Sequence, residues 1–412
     1  MKNDNKNNSL RFHGLRTSGM QIRKSIVNMK KILFIFIFYL SGNLLIAQNN
    51  HTFTAGGFLE YANTSWALPH LKQWSELSGA YTRINLDWYA TSNFSLHAGI
   101  RNNFLFGSMM AGLYPYYEQM LTTDDGLMDL TFKLAGDSSS LLLSNTDRLY
   151  FKWTLNKFEI TVGRQRINWG INMVWNPNDI FNTYNYFDFD YVERPGSDAV
   201  LLQYYTGNLS SIQVAAKLNK NKELTAAILY KFNLSNYDFQ VMGGVMQKDV
   251  VAGFGWAGQI GKAGFTGEAS YFRNAKHFSD STGQFVASVS ANYTFKNGLF
   301  LNTSFIYNSK GTTGKAGLTN YFINGNLNPE TLTFSRFDLF SEVSYPITPL
   351  IKVDASAMIN PNDGSVFAGP SVDFSLTENL EFFLMGQLFF GDQGTEFGHY
   401  GKLIYARLKW SF

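Results

Sequence analysis

From about residue 52 onward, apolar and polar residues alternate with period two, segment after segment. In 82–90, Ile84, Leu86 and Trp88 oppose Arg83, Asn85, Asp87 and Tyr89. In 94–101, Phe94, Leu96, Ala98 and Ile100 oppose Ser95, His97, Gly99 and Arg101. In 148–155, Leu149, Phe151, Trp153 and Leu155 oppose Arg148, Tyr150, Lys152 and Thr154. Later, Arg336, Asp338, Phe340 and Glu342 oppose Phe337, Leu339 and Val343, and Lys352, Asp354 and Ser356 oppose Ile351, Val353 and Ala355. Such alternation predicts strands with one apolar and one polar face. About 18 of them begin near residues 52, 78, 93, 145, 158, 197, 209, 223, 235, 248, 263, 283, 297, 335, 350, 365, 379 and 401.

Every second link is a tight turn built from Gly, Asn, Ser or Pro, such as Asn156-Lys157, Asn233-Leu234-Ser235-Asn236, Gly261-Lys262 and Lys296-Asn297-Gly298. All the long links fall between those turns, near 63–77, 107–144, 167–196, 275–282, 309–333 and 390–400. Short turns on one side and long loops on the other are the asymmetry of a membrane barrel, with its turns periplasmic and its loops extracellular. The predicted fold is all-β: a transmembrane antiparallel β-barrel of about 18 strands. With both ends periplasmic the count must be even, and sixteen also fits.

Composition agrees. Aromatic residues make up 16%, with 37 Phe and 22 Tyr, and charged residues only 16%, below the roughly 25% usual in soluble domains. No stretch after residue 50 is long and apolar enough for a helical span. The net charge of +3 comes from the amino terminus. Residues 1–47 hold eight basic residues and one acidic residue, so 26 basic and 30 acidic residues remain beyond them. That balance gives no basic surplus to suggest a nucleic-acid partner, and none is expected. Met29-Lys30-Lys31 followed by the apolar run 32–40 and a small residue at Ala47 reads as a secretory signal peptide over 29–47. Residues 1–28 then read as a non-native extension, and 48–412 as the barrel. At the other end, Ile404, Ala406, Leu408, Trp410 and Phe412 form one apolar face. A terminal lipid-facing aromatic resembles the signal by which the barrel-assembly machinery recognises its clients.

The stretch 158–196 breaks the monotony. A strand ends in Gly163-Arg164-Gln165-Arg166-Ile167-Asn168-Trp169-Gly170. About 30 residues without helical period follow, including Trp175-Asn176-Pro177-Asn178-Asp179 and an aromatic, acidic run with Tyr184, Tyr186, Asp188, Asp190, Tyr191, Glu193 and Arg194. Loops of that length in a compact fold are functional or disordered, and this one is too aromatic for disorder. It reads as an extracellular loop folded inward. Gly163-Arg164-Gln165, Trp169-Gly170 and Asn176-Pro177-Asn178-Asp179 resemble a strand and loop of porin-like and alginate-export-like outer-membrane barrels. The resemblance implies a monomeric or trimeric channel whose loop narrows the pore.

Strict alternation from Ile160 and Val162 sets Arg164 and Arg166 on the lipid face, where a midplane cation costs about 2–4 kcal/mol. Either the strand has left the bilayer there, or Gly163 makes a bulge that turns both arginines inward; the bulge is the preferred reading. The candidate constriction is then Arg164, Arg166, Trp169, Trp175, Asp179, Asp188, Asp190, Glu193 and Arg194. The arginines would pair with loop carboxylates, and the aromatics would either line the path or form the loop's own small core. The candidate lumen lining is Arg83, Asp87, Arg101, Arg148, Lys152, Arg336, Asp338 and Glu342. Charged rings of this kind select solutes.

Catalytic readings fare poorly. The six histidines have no metal-ligand spacing, no Gly-x-Ser-x-Gly elbow occurs, and no cofactor or metal is expected. Two acidic clusters, 122–126 and 360–364, have oxygen ligands for Ca²⁺, but Asp-Gly and Asn-Asp-Gly sequences are usually plain turns. The sequence therefore points to an outer-membrane channel for passive diffusion of small hydrophilic solutes, embedded in outer-membrane lipid, with a homotrimer as a candidate assembly. The alternative is a gated transporter of a hydrophobic compound or an exported polysaccharide.

Overall fold

A computed structural model describes residues 52–67, 73–184, 186, 196–280, 282–317 and 328–412. The expected signal peptide and extension lie outside these residues, as do Asp188, Asp190, Glu193 and Arg194. The chain forms strands β1 (Phe53–Ala67), β2 (Ser75–Thr91), β3 (Phe94–Phe106), β4 (Thr131–Asp137), β5 (Ser140–Leu155), β6 (Phe158–Gln165), β7 (Ser197–Gly207), β8 (Ser210–Leu218), β9 (Leu224–Leu234) and β10 (Tyr237–Met246). It continues through β11 (Asp249–Ile260), β12 (Ala263–Asn274), β13 (Gln284–Thr294), β14 (Phe300–Asn308), β15 (Phe337–Thr348), β16 (Ile351–Asn360), β17 (Ser365–Thr377), β18 (Leu380–Phe390) and β19 (Lys402–Ser411). One helix, α1 (Ser108–Thr122), lies in the link between β3 and β4.

Each strand pairs antiparallel with its neighbour in sequence, except that β3 pairs with β5 and β4 hangs on β5 alone. The ring therefore contains eighteen of the nineteen strands, as the alternation predicts, and each begins within five residues of its expected start. It closes where β1 meets β19, in register from Phe58 opposite Ser411 to Ala67 opposite Lys402. Gly57 and Phe412 exchange backbone hydrogen bonds at 2.9 Å in both directions. Closure leaves no edge in the hydrocarbon, where an unpaired backbone group costs several kcal/mol. The turns follow the sequence. Ser235 and Asn236 both have positive φ, 54° and 64°, as a two-residue hairpin loop with the right twist requires.

The two faces separate as the alternation predicts. Val200, Leu202, Tyr204, Ile228, Tyr230, Val241 and Phe254 point outward and are exposed. A soluble protein would hide such a belt, whereas lipid solvates it. On β13 the inward parity is Gln284, Val286, Ser288 and Ser290, all buried.

Phe254 stands mid-strand on that outer face and Leu234 beside a tight turn, so the same substitution probes two depths. Phe254→Arg is expected to lower barrel stability by about 2–4 kcal/mol, and Leu234→Arg by about 1 kcal/mol or less. Urea unfolding of the refolded protein in lipid bilayers reads the difference. Equal costs at both positions would refute the membrane depth assigned here.

Candidate functional site

Strand β6 runs straight into the loop, and the pairing through Gly163 answers the arginine problem. Tyr150 stands opposite Gly163 and Leu149 opposite Arg164 with no register shift, so the expected bulge at Gly163 is absent. Arg164 keeps the outward parity of Val162, and it meets neither lipid nor lumen. Its Nε and Nη2 donate to Asp198 on β7 at 2.7 and 2.9 Å, and its Nη1 donates to Asp124 at 2.6 Å. The segment 124–130 lies over it, with the Met128 carbonyl accepting from Nη2 and the Met128 N–H donating to Asp198. The Asp124 carboxyl pays for its burial through this pairing: burial raises its pKa, but the Arg164 hydrogen bond, the N–H groups of Leu130 and Gly126 and the Arg164 charge lower it further. Arg164 is therefore a structural anchor at the extracellular rim rather than part of a constriction. A bulge does occur next door, on β5, where Gly99 faces Arg148 and Ile100 faces Thr146, leaving Asp147 as the extra residue.

Beyond Gln165 the loop turns inward and is latched to the inner wall. Its neck is closed by Asn182, whose Oδ1 accepts from the Ile167 N–H at 2.8 Å and whose Nδ2 donates to Ser197 at 3.0 Å. Trp169 donates through Nε1 to Gln213 on β8 at 2.7 Å, and its carbonyl accepts from Gln240 on β10 at 2.7 Å. The strongest attachment is Glu268, mid-strand on β12 and 1% exposed. Its Oε1 accepts from the N–H groups of Ile171 and Asn172, the latter at 2.9 Å, and its Oε2 from the Asn178 N–H at 2.9 Å. One carboxylate thus satisfies three backbone donors of a segment that has no strand or helix to do so. Hydrogen bonds to a charged acceptor are worth about 1.5–3 kcal/mol each.

Asparagines complete the latch. Asn172 donates to the Ser288 hydroxyl and carbonyl and accepts from Thr266 at 2.6 Å. Asn178 accepts from Ser270 at 2.7 Å and donates to the Phe254 carbonyl at 3.1 Å. This close approach needs bare backbone on β11: a Cβ at Gly253 would stand 2.7 Å from Asn178 Oδ1, and one at Gly255 3.1 Å from its Nδ2.

The aromatics of the loop pack inward. Trp169 and Trp175 are 1% and 4% exposed; Trp169 meets Phe181 edge-on at 4.9 Å. Trp175 and Tyr186 reach Phe340 on β15 at 6.4 and 4.9 Å, so the loop runs from the β6–β7 wall past β8–β13 to β15. Of the two readings of these rings, the loop's own core describes Trp169 and Trp175. Asp179 is fully buried. Burial pushes its carboxyl up to about 6, opposed by the Arg166 charge, by the N–H groups of Trp169 and Asn182 and by Lys217. The Arg166 charge is the largest of these opposing effects.

The lining residues divide by height. Near the tight turns, Asp87 accepts from or pairs with His97 at 2.6 Å, and Lys152 pairs with Glu159 at 2.8 Å, all part-exposed. Mid-barrel, Arg83 and Asp147 form a buried pair at 2.5 Å, Arg101 lies over the Tyr81 ring at 5.0 Å, and Arg148 donates to the Asp147 carbonyl at 2.7 Å. Glu342 lies half-buried on the inner face of β15. Two expectations need correcting. Arg336 precedes β15 and holds the Gly311 carbonyl at 3.1 Å, and Asp338 is fully buried at the rim; neither lines an open lumen. Below the loop, a cavity of about 450 Å³ opens between Gly170, Ile171 and the wall residues Lys231, Asp238 and Gln240. Sequence reasoning missed Glu268, although the alternation of Thr266, Glu268 and Ser270 already gives its inward parity. Nothing in the sequence marks it out as the inward carboxylate that meets the loop.

No protein-family model matches the sequence, and neither does any of the curated proteins compared with it. Solved structures do match in fold. Crystal structures of OccAB3 and OccAB2 of Acinetobacter baumannii align with TM-scores of 0.55 and 0.56 at 10% and 8% identity, each over 87% of this chain and over 99% and 98% of theirs. OccD3 (OpdP) of Pseudomonas aeruginosa aligns with a TM-score of 0.53 at 7% identity, over 87% of this chain and 91% of its own. At such identities the likeness establishes the fold. The chain has the architecture of a porin-like outer-membrane barrel.

Proposed function

We propose that the protein is an outer-membrane channel through which small hydrophilic solutes diffuse, narrowed by the loop 167–196. The observation that carries this reading is the latch: an extracellular loop held inside the barrel by Glu268 and its neighbours, above a cavity toward the tight-turn side that is lined by both polar and apolar side chains. The barrels of like fold are outer-membrane porins of the Occ and Opd type, which supports the same location and class. Charges on the inner wall occur largely as compensated pairs, such as Arg83 with Asp147 and Lys152 with Glu159. A wall of this kind favours polar solutes over apolar ones without a large net field. On this reading the mature chain is 48–412, the last strand carries the assembly signal, and the function is transport rather than catalysis.

The tightness of the waist favours a second reading. Side chains at mid-barrel height are almost fully covered, with Glu268 1%, Asn302 1%, Arg83 3% and Phe340 0% exposed. A loop packed so closely would serve equally as a gate that must move before a larger or more hydrophobic cargo passes.

Single-channel recording in planar bilayers separates the two. A channel gives steady wild-type conductance that grows when residues 171–192 are deleted. A silent wild type beside a conducting deletion would hand the lead to the gate, and silence in both would sink the channel.

Glu268→Gln supplies a finer test, since the amide has one acceptor oxygen for three donors and turns its own N–H groups on them. It is expected to raise open-channel noise and mean conductance while leaving the barrel folded, read by the same recordings and by heat-modifiable gel mobility. A folded variant with wild-type conductance and noise would show that the latch does not hold the constriction.

A further inference from the structure

The inner wall near the tight turn 91–93 carries a run of hydrogen bonds that neither the latch nor the cavity uses. Ser95 and His97 lie two residues apart on β3, on its inward parity, and Asp87 stands directly opposite His97 on β2. His97 Nδ1 is 2.6 Å from Asp87 Oδ1, and His97 Nε2 is 2.9 Å from the Ser95 hydroxyl. An ionised carboxylate only accepts, so Nδ1 carries the proton and Nε2 turns its lone pair toward Ser95. The second Asp87 oxygen accepts from Thr54 on β1 at 3.4 Å. Tyr150 on β5 stacks on the imidazole at 4.7 Å and 21°, and Tyr89 meets it edge-on at 6.0 Å. The ring is therefore fixed in tautomer by one nitrogen and in orientation by its faces.

A hydroxyl, an imidazole and a carboxylate in this order and at these distances are the arrangement that makes a serine nucleophilic. The group is open to the lumen: His97 and Asp87 are 17% and 33% exposed, and Ser95 is half-buried. The N–H groups of β3 are taken up by its ladders with β2 and β5, so a pair of free backbone donors for an oxyanion is missing. Lys152 stands in their place. It lies directly opposite Ser95 in the β3–β5 ladder, where facing Cβ atoms are about 4.5–5.5 Å apart, and Glu159 steadies its ammonium at 2.8 Å. A single cation in place of two aligned donors suits an ester, whose alcohol leaves readily, better than an amide.

We propose that Ser95, His97 and Asp87 form a hydrolytic site that cleaves small, water-soluble carboxylic esters entering from the tight-turn side. The Ser95 oxygen attacks the ester carbonyl carbon while its proton passes to His97 Nε2, and Lys152 faces the oxyanion. Collapse of the tetrahedral intermediate breaks the bond to the alcohol oxygen, and His97 hands its proton to the leaving alcohol. Water then attacks the acyl-serine, giving a proton to His97. The second collapse releases the carboxylic acid and returns that proton to Ser95. Asp87 keeps the imidazole in its working tautomer throughout. This activity is additional to passage and does not depend on whether the pore conducts.

The test is labelling of the purified, folded protein in detergent micelles with a fluorophosphonate probe, mapped by mass spectrometry, beside turnover of p-nitrophenyl butyrate. A single adduct at Ser95 is expected, since an unactivated serine is inert to the probe. Ser95→Ala should abolish the adduct, and Ser95→Ala and His97→Gln should each lower kcat/KM at least about 10³-fold. Lys152→Met should lower kcat about 10²–10³-fold with little change in KM, a split that loss of a merely structural contact does not produce. Ser92→Ala, in the neighbouring turn, should leave labelling and turnover unchanged. No adduct at Ser95 overturns the proposal, as does turnover that survives Ser95→Ala. Folding is read by heat-modifiable gel mobility. Should the variants fail to fold, the adduct map of the wild type alone decides.

Discussion

Everything in this molecule depends on one requirement of the bilayer, that no backbone N–H or carbonyl remain unpaired in hydrocarbon. The ring meets it by closing β1 on β19, and closure fixes which parity of every strand faces lipid and which faces inward. A segment that leaves the ring must find its partners elsewhere. The loop after β6 turns into the lumen carrying backbone donors that no strand neighbour can satisfy, and the inner wall supplies the acceptors. Glu268 takes three of them at once. The latch therefore obeys the same rule as the barrel, extended from strands to a loop.

Much of this was legible in the sequence because a barrel strand is a local pattern. Alternation and the Gly, Asn and Ser turns locate strand starts without knowledge of any distant contact, which is why the eighteen ring strands begin where expected. The failures are all non-local. Strand β4 was not foreseen: it pairs with β5 alone and reads as part of a long link. The sequence reading turns Arg164 into the lumen because a cation on the outward parity is costly against lipid. Its true remedy is Asp124, 40 residues earlier, with Asp198 on the next strand. A lone cation is costly against lipid, but a cover from outside the ring leaves no trace in the alternation. For Trp169 and Trp175 the sequence favours the loop's own core or an interface girdle over a solute path, and burial selects the core.

The loop's attachment also bears on how sharply its position is defined. Apolar packing alone tolerates sliding, since one methyl contact replaces another at small cost. The contacts here do not slide: Asn172 and Asn178 each use both ends of the amide, on Ser288 and Thr266 and on Phe254 and Ser270. The missing Cβ atoms at Gly253 and Gly255 leave a slot that Asn178 shares with Met242 and Ile171. A polar segment so held has one position on the wall and a large penalty for half-release, because each freed donor would be buried unpaired.

That all-or-none character separates the two halves of the lumen physically. Toward the tight turns the wall charges are part-exposed, and the cavity under Gly170 and Ile171 is lined by Lys231, Asp238 and Gln240 together with Phe232 and Phe239. At mid-height the side chains are covered and the pairs, such as Arg83 with Asp147, are buried. On the proposed channel reading, a solute entering from the tight-turn side would meet a vestibule that ends at a closely packed waist. Selection by such a waist acts through shape and hydrogen bonding rather than through a deformable apolar seal. The waist is set by the latch, and the latch by a carboxylate on β12 whose three partners lie about 90 to 97 residues earlier in the chain.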